Sequence, residues 1–412
     1  MTFPVLILGC IPRIIVPVAR SLSRQGVPVD VASFPPIRRI PSNAISESRT
    51  LTPPHIDNEA FIRQLRSLIL ERRHDMLIPV DDWMMKAVIG HYDELAALVH
   101  VVCPPPRIAD RVLDKTATLA VAQRCGILIP RTEVVLNSSQ MRDLLGRVPL
   151  PWVIKPARKE TRKETTKSRV LRNRDGLADW FPMGQQFEAA MLVQEYCPGS
   201  GVGIEILLHD GECLAAFQHR RTKEAPVDTG GVSVTAIAES VDQHLLQSSL
   251  ALLRALEWQG IAMVEYKIDD YGRAVLMEVN GRYWGTISLA IYAGMNFPLY
   301  QWKLAHGIKP EIPTAYAVGT KWRWTTGYLQ SLYGLSMKAR RSTNDRKLLT
   351  NYLRDLPGDF SPSVFDATFN LTDPVPSLDS FISILREFVS RRTTTAKRSL
   401  RATENQVEVP VA

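Results

Sequence analysis

The chain has 412 residues, 45% of them hydrophobic and 22% charged, enough apolar material for two or three ordinary domains with a core each. A formal charge of +8 raises nucleic acid as a partner, but Lys and Arg are dispersed except between Arg158 and Arg174 and in the C-terminal tail, and no basic patch interleaved with aromatics occurs. The five cysteines (Cys10, Cys103, Cys125, Cys197 and Cys213) show no C-x-x-C pair and no Cys/His zinc spacing, which reads as reduced, mostly buried thiols, and no uncharged stretch reaches the ~18 residues of a membrane span; the expectation is a cytoplasmic protein that binds no nucleic acid.

From Phe3 to about Arg107, short β-rich runs alternate with helical ones, which predicts a small α/β domain with a parallel sheet. Leu6 to Cys10 has the look of a lipoprotein cleavage site, but the apolar run is too short and lacks a basic leader, so Pro4 to Gly9 reads as a buried first strand. Val27 to Ala32 is a second strand. Asp57 can cap a helix whose Phe61, Leu65, Leu68 and Ile69 fall on one face. The strand Met76 to Val80 ends in Asp81-Asp82, at the sheet end where such folds place ligands. Gly9 stands alone, however, and without G-x-G-x-x-G the dinucleotide fingerprint is missing.

Cys103 to Pro106 reads as a proline-rich hinge, and Ala109 to Arg124 as one helix. Strands follow at Trp152 to Lys155, Met191 to Tyr196, Ile204 to Leu208, Ile261 to Ile268 and Ala274 to Val279, with a helix over Val241 to Leu256. Turn signals at Asp210-Gly211 and Asp270-Tyr271-Gly272 make this middle part antiparallel and of α+β type. Thr320 to Leu335 and Leu378 to Phe388 look ordered, whereas the last twenty or so residues are polar and expected to be mobile. There is no internal repeat.

The chemistry concentrates in Val275 to Arg282 and in Met263 to Lys267, one hairpin earlier. Glu278 and Asn280 share a face by the period of two, and hairpin pairing brings Glu265 to that face of the adjoining strand. Hard oxygen ligands of this kind suit Mg²⁺ completed by substrate phosphates. The surrounding strands are strongly apolar, so carboxylates buried there need partners. Arg282 is placed to hold a phosphate by its planar fork. Lys155 closes the strand Trp152-Val153-Ile154 before Pro156. After it come Arg158, Lys159, Arg162, Lys163, Lys167, Arg169, Arg172 and Arg174, either a flap over a polyphosphate or a solvated basic loop. No G-x-x-x-x-G-K-[ST] occurs, so any phosphate cradle is not a P-loop.

The order of these features resembles the ATP-grasp superfamily, in particular carbamoyl-phosphate-synthase-like carboxylate–amine ligases. The similarity spans roughly residues 1 to 310 and rests on Asp114-Lys115, Gly126 to Pro130, Val153 to Pro156, Val193 to Tyr196 with Pro198-Gly199, Met263 to Glu265, and Glu278 to Gly285. The resemblance implies that Lys115 and Lys155 contact ATP phosphates, that Gln194, Glu195 and Tyr196 form the linker that reads adenine, and that Glu205 reaches toward the ribose. It further implies one or two Mg²⁺ (or Mn²⁺) on Glu265, Glu278 and Asn280, with Arg282 steadying the transferred phosphoryl group. Two departures stand out: Ala157 to Glu160 replaces a glycine- and serine-rich flap, and Gly281 stands where many members carry proline. Arg221 and the turn Gly230-Gly231 are candidate walls of an acceptor pocket, or an ordinary hairpin.

The domains expected are 1–107 (α/β), 108–310 (a two-part ATP-grasp domain divided into 108–194 and 195–310), an extension over 311–390 and a disordered tail over 391–412. The activity implied is ATP- and Mg²⁺-dependent activation of a small carboxylate as an acyl phosphate for attack by an amine. The alternatives are a non-catalytic ATP-binding regulatory or assembly protein, or a nucleic-acid binder using the basic stretch. Neither substrate nor oligomeric state is readable.

Overall fold

The computed structural model describes residues 3–35, 37, 39–160, 168–225, 231–339, 343–384 and 386. Arg162, Lys163, Lys167, Gly230, Phe388 and the tail from 391 lie outside the described residues.

Three sheets organise the chain. In the first, β1 (Val5–Leu8), β2 (Val29–Ser33), β3 (Glu47–Thr50), β4 (Met76–Pro79) and β5 (His100–Val101) lie in the order β3-β2-β1-β4-β5, every neighbouring pair parallel. Burial on both faces explains why β1, β2 and β4 read as nearly continuous apolar runs. The expected helix forms over Asn58–Arg72, with the Asp57 carboxylate accepting the Ala60 N–H. Asp81 likewise caps the helix Asp82–Ile89 that leaves β4.

The second sheet joins β6 (Thr132–Asn137), β7 (Trp152–Pro156), β8 (Arg169–Leu171) and β9 (Gln186–Glu195) in the antiparallel order β6-β9-β7-β8. The third has seven strands: β10 (Ser200–His209), β11 (Glu212–Ala225), β12 (Val232–Glu239), β13 (Gly260–Ile268), β14 (Ala274–Asn280), β15 (Lys321–Arg323) and β16 (Val364–Asp366), ordered β14-β13-β10-β11-β12-β15-β16. All its pairs are antiparallel except β15 with β16. Asp210 (φ 49°) and Gly211 (φ 77°) both take the left-handed region, the condition for a tight two-residue turn between β10 and β11. The sheet runs across residue 310 and includes two strands from the expected extension.

Helices on both faces bury the large sheet. On one face Leu207, Phe217, Ala236 and Met263 pack with residues of the helix Pro12–Ser23 and with Trp284 and Ile287, which docks the parallel-sheet domain onto it. On the other, Val202, Ile204 and Val264 meet apolar residues from the helices Pro106–Leu113, Lys115–Arg124 and Gln243–Ala255. The stretch expected as one helix from Ala109 to Arg124 is two. Asp114 leaves helical geometry (φ −90°, ψ 108°), and its carboxylate caps the second helix through Thr116 N and Ala117 N. The five cysteines are free, and all are partly buried.

Candidate active site

The hairpin β13–β14 sets Glu265 directly opposite Glu278 and Met263 opposite Asn280. Period-two alternation then puts Glu278 and Asn280 on one face. Asn280 Nδ2 donates to Glu278 Oε1 at 3.0 Å, while the buried Asn280 Oδ1 has no hydrogen-bond partner among the described residues. Arg221, from β11, brings its guanidinium to 2.5 Å from Glu265. Gly201 of β10 makes room for it, because a Cβ there would stand 2.8 Å from Arg221 Cδ.

Three ammonium groups face these carboxylates across the cleft. Lys155 projects from β7. Lys115 opens the second helix behind its Asp114 cap, where its backbone N–H donates to Ala157 O at 3.0 Å and its Nζ to Pro156 O at 2.9 Å. Lys159 Nζ donates to Val279 O. Burial alone would raise the Glu278 pKa, but the charges of Lys159, Lys155 and Lys115 outweigh it and hold the group well below the usual carboxylate range. Glu265 moves the other way: burial raises it, and the charge of Glu278 adds to that against the pull of Arg221. Burial lowers both lysines, Lys115 to about 8, although Glu278 opposes the shift in each.

Arg282 follows directly on β14. Its Nη2 donates to Asp82 Oδ2 at 2.8 Å and its Nη1 to Tyr283 O at 3.0 Å, so the carboxyl end of the parallel sheet reaches into the site. Burial works to lower the Arg282 pKa, but the charges of Asp82 and Glu278 raise it overall.

Two cavities meet at the carboxylates. A cavity of about 320 Å³ is lined by Lys115, Lys155 and Lys159, by Gln194, Glu195 and Tyr196 at the end of β9, and by Asp82 and Lys267. A larger one of about 660 Å³ is lined by Arg13, Arg221, Arg282, Met263, Val232 and the segment Trp284-Gly285-Thr286. Glu265 and Glu278 border both. Among the described residues no three His, Cys, Asp or Glu gather into a metal set, so the candidate ligands are two carboxylates and one amide oxygen. Hard donors of this number fit a Mg²⁺ that keeps waters and takes its remaining oxygens from phosphate, and the partnerless Asn280 Oδ1 is the atom such an ion would satisfy.

Most residues singled out from the sequence converge here, but Glu205 stands elsewhere than expected. Glu205 is wholly buried and borders neither cavity; it lies 2.9 Å from His219 Nδ1, with Thr286 Oγ1 at 3.5 Å. Burial raises Glu205 well above its ordinary value, and burial with the charge of Arg221 lowers His219 to about 3. The ribose contact expected of Glu205 finds it wholly buried and outside the lining of both cavities. Arg221, a candidate wall of the acceptor pocket, lines the larger cavity and pairs with Glu265. Gly231 lines the same wall. In the basic stretch Arg158 is tied to Asp110 (2.6 Å) and Glu160 (2.5 Å), whereas Lys159 enters the cleft. Sequence reasoning did not single out Lys159 from its basic neighbours and missed Arg13 altogether; Asp82 was flagged only by its place at a strand end.

Residues 187–328 match the family model described as ATP-grasp in the biosynthetic pathway with Ter operon. A Streptomyces coelicolor protein named "Putative D-alanine--D-lactate ligase" is 27% identical over 201 residues, 45% of this chain and 56% of that protein, so the chain spans little more than half the length of the relative it matches. The L-amino acid ligase of Bacillus licheniformis superposes with a TM-score of 0.56 at 18% identity, covering 74% of each chain. The biotin carboxylase domain of Hydrogenobacter thermophilus 2-oxoglutarate carboxylase, crystallised with MgADP, ADP and bicarbonate, gives 0.58 at 12% identity over 78% of this chain and 74% of that one. At such identities the superpositions speak for the fold alone. The N-terminal parallel sheet, the two largely antiparallel sheets and the carboxylate-lined cleft are the fold that these structures share. Over residues 187–328 the chain is thus similar to the ATP-grasp family, and its fold is that of the structures just named. Among the described residues no helix is long and apolar enough to cross a membrane.

Proposed function

We propose that the chain is an ATP- and Mg²⁺-dependent ligase that joins a small carboxylate to an amine in the cytoplasm. The observation that carries this reading is the meeting of two cavities at Glu265 and Glu278, one lined with lysines and the other with arginines. The lysine-lined cavity takes ATP, with Tyr196 and the chain at Gln194-Glu195 beside the base and Lys115, Lys155 and Lys159 on the phosphates. Glu265, Glu278 and Asn280 would hold the metal, which supplies charge neutralisation at the β- and γ-phosphates when bound.

A carboxylate oxygen in the arginine-lined cavity attacks the γ-phosphorus; the bond to the β-phosphate oxygen breaks and ADP leaves. An amine nitrogen then attacks the acyl carbon, phosphate departs, and the nitrogen gives up its proton. Arg282 offsets charge on the transferring group, and Asp82 fixes its fork. The side chains need supply no covalent step, because positioning and charge do most of the work in phosphoryl transfer. The relatives named above, a D-alanine–D-lactate ligase and an L-amino acid ligase, support this class of reaction. We also propose the expected divisions near 107, 194 and 310, with the extension beyond 310 completing the large sheet.

The test is ADP release screened over pairs of small carboxylates and amines. A pair that stimulates release in the wild type should fail in Glu278→Gln, with turnover down by about 100-fold or more, the scale on which single electrostatic groups act in catalysis. A Glu278→Gln variant that turns over normally with such a pair would remove the metal assignment.

A further inference from the structure

Arg13, the second residue of the helix Pro12–Ser23, lines the larger cavity although it belongs to the parallel-sheet domain. The guanidinium carbon of Arg13 lies 4.2 Å from the centre of the Trp324 ring. Gly285 clears its path, since a Cβ there would stand 3.0 Å from that carbon. The other two arginines of the cavity each carry an acid: Arg221 has Glu265 at 2.5 Å, and Arg282 has Asp82 at 2.8 Å. Arg13 makes no ion pair or hydrogen bond among the described residues, and after burial the charges that act on it are those of Arg282 and Arg221, all lowering its pKa, to about 10. An enclosed guanidinium without an acid is costly, and an anionic ligand relieves that cost.

Arg282 follows directly on the strand that carries Glu278 and Asn280, and Arg221 pairs with Glu265, whereas Arg13 enters the same cavity from the parallel-sheet domain and makes no ion pair with these acids among the described residues. A carboxylate undergoing phosphorylation belongs beside the metal ligands and Arg282, which leaves Arg13 for a different group.

We propose that Arg13 is an anion subsite of the acceptor cavity, holding a substrate carboxylate that does not itself react. This deepens the ligase reading and rests on it in taking the cavity as the acceptor pocket. The planar fork suits a carboxylate bound through two N–H groups. Two substrates bring that chemistry: a dicarboxylic acid activated at its other end, or an α-amino acid serving as the nucleophile.

Equilibrium binding to the full chain, with Mg²⁺ and a non-hydrolysable ATP analogue present, separates these cases. Glutarate is compared with its half-amide glutaramate, and L-alanine with L-alaninamide. In one pair the carboxylate should bind more tightly than the amide by about 10-fold or more, as for a charge-assisted contact; the pair that shows it identifies the substrate bearing the anion. The preference should vanish in Arg13→Met and shrink in Gly285→Ala, whose added methyl presses on the guanidinium, while all three proteins bind the analogue equally. Absence of a preference in both pairs, or an equal preference in Arg13→Met, would overturn the subsite. Failure of the wild type to bind the analogue would instead defeat the ligase reading, and the same acid–amide comparisons without nucleotide would still decide the role of Arg13.

Discussion

Glu265 and Glu278 face each other across one hairpin, yet their surroundings drive them apart. Three lysines keep Glu278 ionised, whereas burial and its like-charged neighbour raise Glu265 in spite of Arg221. A cation bound between them would relieve that repulsion. Lys115 gives the cleft a pH dependence. Burial brings it from 10.5 to about 8, so in the free protein its proton is lost as pH rises through that value, whereas bound phosphate favours the protonated form. ATP affinity should therefore be highest below about pH 8 and fall as the pH climbs past it, and Lys115→Met should be weaker throughout and lack that fall. Titrations across the range check this; an affinity that stays level in the wild type would exclude Lys115 from the phosphate site.

At the scale of elements, the hairpin owes its placement to residues outside the chemistry. Gly281 is one of them. A Cβ there would come within 2.2 Å of the buried Trp258 ring, which accounts for glycine in a place where a proline ring would not fit. Gly281→Ala should cost about 2 kcal/mol through overpacking, read as a lower denaturant midpoint; a midpoint like that of the wild type would mean that the ring moves aside freely. Much of this level was legible in the sequence. The strands carrying Lys155, Glu265, Glu278 and Asn280 were visible because apolar runs end in charged residues, and Asp57 announced its helix as a cap. Asp114 is also a cap, but it sits inside a stretch that is helical in period on both sides, so the break it makes was read through. Arg13 was illegible for another reason. Its role depends on the docking of one domain on another, and one arginine after a proline carries no such signal. Lys159 was hidden among basic neighbours, since only the fold distinguishes the lysine that reaches Val279 O from the arginine tied to Asp110. Glu205 misled because a carboxylate in an apolar strand announces that it needs a partner without saying which; here Thr286 donates to it and His219 lies beside it.

Across the whole molecule, the site is assembled from three parts of the chain. Asp82 and Arg13 come from the parallel-sheet domain, the lysines from the four-stranded sheet or the segments packed on it, and the carboxylates from the large sheet. The C-terminal extension holds this arrangement from behind. Trp322 is buried in the core beneath the site, and Arg20 is clamped by Asp373 Oδ2 and by the carbonyls of Thr368 and Asp373. Ser42 and Asn43 also donate to the Asp373 carboxylate. Asp373→Ala should therefore cost about 3 kcal/mol or more, because it leaves a buried arginine without its acid, and should lower the melting temperature of the whole chain in one transition. Loss confined to a separate, earlier transition would mean that the extension folds apart from the rest.

The claim on which the rest depends is that the lysine-lined cleft binds ATP through a metal held by Glu265, Glu278 and Asn280. Calorimetric titration of ATP into the full chain, with and without Mg²⁺, tests it most directly when wild type, Lys155→Ala and Glu278→Gln are compared. The account predicts Mg²⁺-dependent binding in the wild type, weaker binding in Lys155→Ala, and loss of the Mg²⁺ dependence in Glu278→Gln. A wild-type chain that binds no ATP, or a Glu278→Gln variant that binds MgATP as the wild type does, would contradict it.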